Sequence, residues 1–203
     1  MKEYWERRYE EQGRKTIGHI SFSQKEFEER SARLCEFVRN IITKKGVFPT
    51  GGSILDFGCG WGRLSKVLVE MGFRVYGVDI SERAIREAIE YIPEANFQLF
   101  DNILIPIENE SMDGVLSWTV LQHVPPEEME GICSEIMRVM RPGARLMAYE
   151  NTTLAISKAH VWFRSSVEYR GLFSDLIFER SKEVNWVDGP TGEVHTLMVM
   201  RKP

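Results

Sequence analysis

Ile54-Leu55-Asp56-Phe57-Gly58-Cys59-Gly60-Trp61-Gly62 runs from a short apolar strand directly into a glycine-rich turn, and a helical period of apolar residues starts at the next position. Leu64, Val67, Leu68 and Met71 fall on one face of residues 63–71, and Gly72 stops that helix. Glycines at 58, 60 and 62 turn the chain tightly and present no Cβ to an approaching ligand. Their spacing narrows the ligand. A dinucleotide-binding turn reads G-x-G-x-x-G, whereas this one reads G-x-G-x-G, and the lysine followed by Ser or Thr of a P-loop is missing. Asp56, two residues before the first glycine, adds a charge argument, since a carboxylate repels a pyrophosphate and attracts an ammonium. The turn therefore suits a ligand with a cationic amino-acid portion; a glycine-rich turn without a ligand is the plainer alternative.

Downstream the pattern keeps alternating. Residues 74–79 read as a second strand, and Ser81 caps a helix whose apolar side is Ala84, Ile85, Ala88 and Ile89. Residues 96–101 and 114–118 read as third and fourth strands. Pro125-Pro126-Glu127-Glu128 opens a helix with the stripe Met129, Ile132, Cys133, Ile136 and Met140, which Arg141-Pro142-Gly143 ends before a fifth strand at 145–151. This alternation implies an α/β fold with a mostly parallel sheet and helices on both faces. Upstream, Ser23-Gln24-Lys25-Glu26 has the capping-box form, Phe27, Leu34, Val38 and Ile41 follow at helical spacing, and Lys44-Lys45-Gly46 closes the helix. Toward the C-terminus a short helix at 167–173 precedes two strand-like runs, 176–186 and 195–201, with Asp188-Gly189-Pro190-Thr191-Gly192 as the turn between them. Two such strands should pair antiparallel at the edge of the sheet. The expected organisation is one domain over 1–203: a helical N-terminal appendage (1–50), a ligand-binding core (51–151) and a substrate-side segment with a C-terminal hairpin (152–203).

Composition bounds the function. The 203 residues are 43% hydrophobic and 28% charged, with a formal net charge of −4, enough core for one α/β domain with an appendage. No apolar run approaches the roughly 20 residues of a membrane helix, and the charged N-terminus lacks the apolar region of a secretory signal. Lys and Arg do not cluster, which argues against a nucleic-acid partner. Three cysteines without a C-x-x-C pair fit reduced thiols, and the cytoplasm is the expected location.

Three acids end successive strands. Asp79 follows Asp56 by 23 residues and, at the end of the second strand, can accept both hydroxyls of a ribose; otherwise it caps the next helix together with Ser81. Asp101, in Phe97-Gln98-Leu99-Phe100-Asp101-Asn102, is either a turn residue or a partner for an exocyclic amine of adenine.

With these motifs in order, the sequence resembles the class I S-adenosylmethionine-dependent methyltransferases, particularly their small type 11/12 branch. The resemblance covers residues 50–151 closely and is carried by 54–62, 75–81, 97–102, Met112-Asp113-Gly114-Val115-Leu116-Ser117-Trp118, Leu121-Gln122-His123-Val124 and 135–144. It implies a Rossmann-like three-layer sandwich whose seven-stranded, mostly parallel sheet has an antiparallel last strand. It also implies that S-adenosyl-L-methionine is held by Asp56, Gly58, Cys59, Gly60 and Gly62 at its methionine portion, by Asp79 and Ile80 at the ribose, and by Asp101, Asn102 and Ile103 at the adenine. Ser117 and Trp118 would line the passage from sulfonium to acceptor.

In such an enzyme the protein chiefly aligns an acceptor lone pair with the S–CH₃ bond, so an O or N atom of a small molecule is the expected acceptor. His123 is the candidate general base, or else an anchor for the loop before Pro125-Pro126. Quinone-pathway relatives carry two glutamates before this histidine and bind a metal there; Thr119-Val120-Leu121-Gln122 has neither, and no metal is expected. Tyr4, Trp5 and Tyr9 are candidate lid residues or packing aromatics, and Arg14 or His19 is placed to reach the cleft. His160 and Arg164 lie in an aromatic and basic stretch suited to an anionic or aromatic acceptor, or to a solvated helix face. The competing expectations are a scaffold that kept the fold and lost catalysis, and a nicotinamide-dependent oxidoreductase, which Asp56 and the glycine spacing disfavour. A monomer or a homodimer suits either.

Overall fold

A computed structural model describes residues 1–17, 22–101, 103–153, 160–184 and 193–203. His19, Asn102, Trp186 and the turn from Asp188 to Gly192 lie outside the described residues. The strands, defined below, follow the order β3-β2-β1-β4-β5-β7-β6, the seven-stranded Rossmann-like arrangement expected. Two compact units divide the chain, Met1–Asn102 and Ile103–Pro203.

The first unit begins with α1 (Lys2–Gln12), a 3-10 helix (Gly13–Ile17) and α2 (Gln24–Lys45). The capping box of α2 forms as the sequence predicts: Glu26 N–H donates to Ser23 Oγ, and Ser23 N–H donates to Glu26 Oε2. Gly46 closes the helix at φ 55°, a conformation that favours glycine. The buried stripe continues to Ile42, not Ile41, because it follows the four-residue spacing from Leu34 and Val38. After it come β1 (Ser53–Phe57), α3 (Arg63–Glu70), β2 (Arg74–Asp79), α4 (Glu82–Tyr91) and β3 (Asn96–Leu99), with β2 parallel to β1 and β3 on its two sides. Ala84, Ile85 and Ala88 are the buried side of α4, while Ile89 is 48% exposed and Ile92 takes its place in the core.

The second unit contains β4 (Met112–Trp118), a 3-10 turn (Leu121–His123), α5 (Pro126–Val139), β5 (Met140–Asn151), α6 (Ser166–Leu172), β6 (Ile177–Val184) and β7 (His195–Arg201). β4 and β5 are parallel; β7 runs antiparallel to both β5 and β6 and lies between them. One boundary differs from the sequence expectation. Met140 leaves the helix and starts β5 opposite Met112, five residues before the expected strand. The cause is Pro142, whose ring excludes helical backbone at Arg141 and so ends α5 at Val139. Among the described residues no helix is long and apolar enough to cross a membrane.

Candidate active site

The glycine turn is braced against the end of β2. Gly58 and Cys59 both donate their N–H to Val78 O, at 2.8 and 3.0 Å, and Gly60 N–H donates to Asp79 Oδ2 at 2.9 Å. Gly58, Gly60 and Gly62 have φ of 74°, 56° and 89°, so each needs the freedom only glycine has. The other oxygen of Asp79 accepts Ser81 N–H at 3.0 Å, while Ser81 Oγ caps α4 through Ala84 N–H. One carboxylate thus ties the turn after β1 to the entry of α4, where the Ile80 N–H also lies against it. Burial raises its pKa, these backbone bonds oppose the shift, and Glu6 of α1 adds to it.

Asp56 and Cys59 lie behind the turn. Asp56 is buried in β1 and accepts Ser65 Oγ–H of α3 at 2.6 Å. Burial raises its carboxyl to about 6, against the pull of the Ser65 hydrogen bond. The Cys59 side chain packs among Ile85, Ala88, Ile92 and Phe97, and burial pushes its thiol up. Its backbone is therefore what the turn uses. The Asp56 shift has a consequence for stability. A carboxyl whose folded pKa is raised from 3.8 to about 6 favours folding when protonated, and that contribution is lost as pH climbs through this window. The stability of wild type relative to Asp56→Asn should fall by about 2 kcal/mol between pH 4 and pH 7. Denaturant titrations at the two pH values check this; a pH-independent difference would refute it.

The N-terminal helix supplies residues that motif spacing does not reveal. Tyr9 is buried with Phe27, Trp61 and Ala84, in electrostatic range of Asp79 and Arg63. Tyr9 Oη, Trp61 Nε1 and Arg63 Nε are buried without a hydrogen-bond partner. Arg63 donates to Ser31 Oγ at 3.2 Å, and burial lowers its pKa. Arg14 lies over the rings of Trp61 and Tyr91 at 4.7 and 5.0 Å and bonds Glu87 at 3.2 Å. Glu6 accepts the first N–H of α4, and Lys2 pairs with Glu82 at 2.8 Å. Tyr4 and Trp5 meet edge to face and stack with Arg8, whose guanidinium also donates to Tyr4 Oη at 2.7 Å. Trp61 and Arg63 are legible only afterwards, from their place beside Gly62. Ile80 is half-buried and Asp101 exposed at the ends of their strands.

In the second unit Ile103 is 77% exposed. Ser117 is buried and donates to Glu150 Oε1 at 3.3 Å, and Trp118 stacks on Tyr149 at 4.1 Å, which in turn stacks on His195. Thr119 has φ 56°, a strained conformation for a β-branched residue, directly before the turn that carries His123. His123 Nδ1 donates to His160 O at 2.6 Å. The contribution of His160 here is its backbone. Arg164 is buried rather than on a solvated helix face, and its guanidinium donates to the carbonyls of Leu121, Trp162 and Val124. Glu150, the acceptor for this loop, is not identified by the sequence motifs. Among the described residues no group of three His, Cys, Asp or Glu is arranged to hold a metal ion.

Residues 54–143 match the family model described as a methyltransferase domain. Over these residues the chain carries a methyltransferase domain. Phosphoethanolamine N-methyltransferase 2 of Caenorhabditis elegans is 30% identical to this chain over 113 residues, 53% of this chain and 25% of that protein. The 2-methyl-6-phytyl-1,4-hydroquinone methyltransferase of Synechocystis sp. (strain ATCC 27184 / PCC 6803 / Kazusa) is 33% identical over 103 residues, 49% of this chain and 32% of that protein. The chain thus spans about a quarter to a third of the length of these curated relatives. The PH0226 protein of Pyrococcus horikoshii OT3 shares the fold over 100% of both chains, with a TM-score of 0.73 and 23% identity.

Proposed function

We propose that this methyltransferase domain moves a methyl group from S-adenosylmethionine to an O or N atom of a small molecule by in-line displacement. The observation that carries the proposal is the set of groups around the glycine turn: the Asp79 carboxylate at the end of β2, and three buried donors without acceptors, on Tyr9, Trp61 and Arg63. These groups fit the cofactor's polar ends. Asp79, with Ile80 beside it, accepts the ribose hydroxyls, and the donors of Tyr9, Trp61 and Arg63 suit a carboxylate. Asp56 lies behind the turn and acts through the position of the 58–62 backbone. Asp101 serves the adenine. The bound sulfonium supplies the electrophilic methyl. The chain supplies alignment and, for a hydroxyl acceptor, His123 is the candidate base. His160 keeps that ring in place through its carbonyl, and Tyr4 and Trp5 of the appendage are the acceptor-side candidates. A small-molecule acceptor agrees with the names of the two curated relatives and with the absence of a basic run in the sequence. We place the protein in the cytoplasm as a monomer or homodimer. Calorimetric titration with S-adenosylmethionine, S-adenosylhomocysteine and NADH tests the proposal. Binding of the two sulfur nucleosides and not of NADH is expected; a folded sample that binds neither nucleoside would overturn it.

A further inference from the structure

The turn after β4 is gripped at both ends by buried side chains of opposite charge. Glu150, at the end of β5 and fully buried, accepts the N–H groups of Val120, Leu121 and Gln122 at 3.2, 3.1 and 3.1 Å, together with Ser117 Oγ–H. Arg164 donates to the carbonyls of Leu121 and Val124 at 3.2 and 2.8 Å. The acid meets the positive end of the turn and the guanidinium its negative end, which is the favourable polarity at each. The salt bridges of the described residues include neither Glu150 nor Arg164. Burying two charges costs several kcal/mol each, and apolar residues would fill the same volume at less cost. What the charges supply is a defined backbone path for five residues that strand pairing does not hold.

That path fixes one imidazole. Gln122 Oε1 accepts Asn151 N–H at 2.9 Å, which turns its amide nitrogen toward His123 Nε2, 3.3 Å away. His123 Nε2 must then be the acceptor, and Nδ1 carries the hydrogen that meets His160 O. Trp162 N–H closes the arrangement on Gln122 O at 2.8 Å. We infer that Glu150 and Arg164 are positioning residues that clamp the 120–124 turn and thereby hold His123 as its Nδ1–H tautomer, with Nε2 accepting from the Gln122 amide. Free imidazole side chains favour the opposite tautomer, so the clamp has a spectroscopic signature of its own. The bearing of this tautomer on catalysis rests on the methyl-transfer reading; the clamp itself does not.

Nitrogen-15 spectra of the histidine-labelled full chain, recorded without cofactor in mildly alkaline buffer, test the inference, with His123→Gln assigning the resonance. Wild type should show His123 as the Nδ1–H form. Glu150→Gln, which sets an amide N–H against the turn's donors, and Arg164→Lys, which cannot span two carbonyls, should each shift the signal toward Nε2–H. Amide exchange at 120–122 should quicken at least tenfold in Glu150→Gln while β4 and β5 stay protected. An Nε2–H signal in wild type would overturn the inference without any variant. So would unchanged spectra and exchange in either folded variant. None of these readings depends on cofactor binding, so failure here is distinguishable from failure in the calorimetric titration.

Discussion

Asp79→Ala should weaken S-adenosylmethionine binding by at least about 100-fold while leaving the protein folded. The affinity loss follows from two hydrogen bonds to a charged acceptor, each worth about 1.5–3 kcal/mol, set against 1.4 kcal/mol per factor of ten. Folding survives because the carboxylate is costly to bury, as its raised pKa records, and because Ser81 Oγ still caps α4. Gly60 and Ser81 lose the acceptor for their N–H groups, so the turn and the helix entry loosen together. Asp79→Asn, which keeps one oxygen, should lose about tenfold. Titration calorimetry on both variants, with circular dichroism as the check on folding, decides the matter. An Asp79→Ala protein that is folded and binds within threefold of wild type would remove this residue from the ribose site.

The largest loss of stability is expected from Gly77→Ala in the middle of β2. A Cβ built there would come within 2.4 and 2.6 Å of two ring carbons of Phe97 and 3.0 Å of Cys59 Sγ. The ring of Phe97 lies on the strand where a side chain would stand, and β2 has a parallel neighbour on each side to hold it in place. Overpacking of this kind costs about 1–3 kcal/mol, with the upper end expected here. For a chain of this size that lowers Tm by about 6–12 °C. Phe97→Leu added to Gly77→Ala should restore part of the loss by removing the clash. Calorimetric melting of the single and double variants is the measurement, and a single variant that melts within 2 °C of wild type would refute the packing account. Because Cys59 follows the first glycine of the turn, the single variant should also bind cofactor more weakly.

Local signals carried much of this structure. The capping box at Ser23, the glycine turn after β1, the Ser81 cap and the span of β7 were all legible because each is encoded within a few adjacent residues. Met140 misleads because apolar spacing cannot tell the last turn of a helix from the first residue of a buried strand; the proline two positions later holds that information. Ile89 misleads because the α4 period predicts a wider apolar face than the one buried. At the candidate site, Asp79 announces itself by its place after a strand. Tyr9, Trp61, Arg63 and Glu150 do not, since their significance lies in what surrounds them across the fold. Glu150 contacts backbone groups 28–30 residues away, and a backbone N–H leaves no trace in residue type. Arg164 is the complementary case, a basic residue in an aromatic stretch whose targets are carbonyls about 40 residues earlier.

β7 follows β6 in the chain yet lies between β5 and β6. As the chain is synthesised, β6 emerges with its future partner still unmade, and the outer edge of β5 is equally open. Arg201 is 17 residues beyond Val184, which at synthesis rates of roughly 5–20 residues per second is an interval of about 1–3 s. Throughout it, two strand edges wait with unpaired N–H and C=O groups. The charged run Glu179-Arg180-Ser181-Lys182-Glu183 in β6 discourages pairing with another chain during that wait. Insertion of β7 then joins residues as far apart as Arg145 and Arg201, so this half of the sheet closes late.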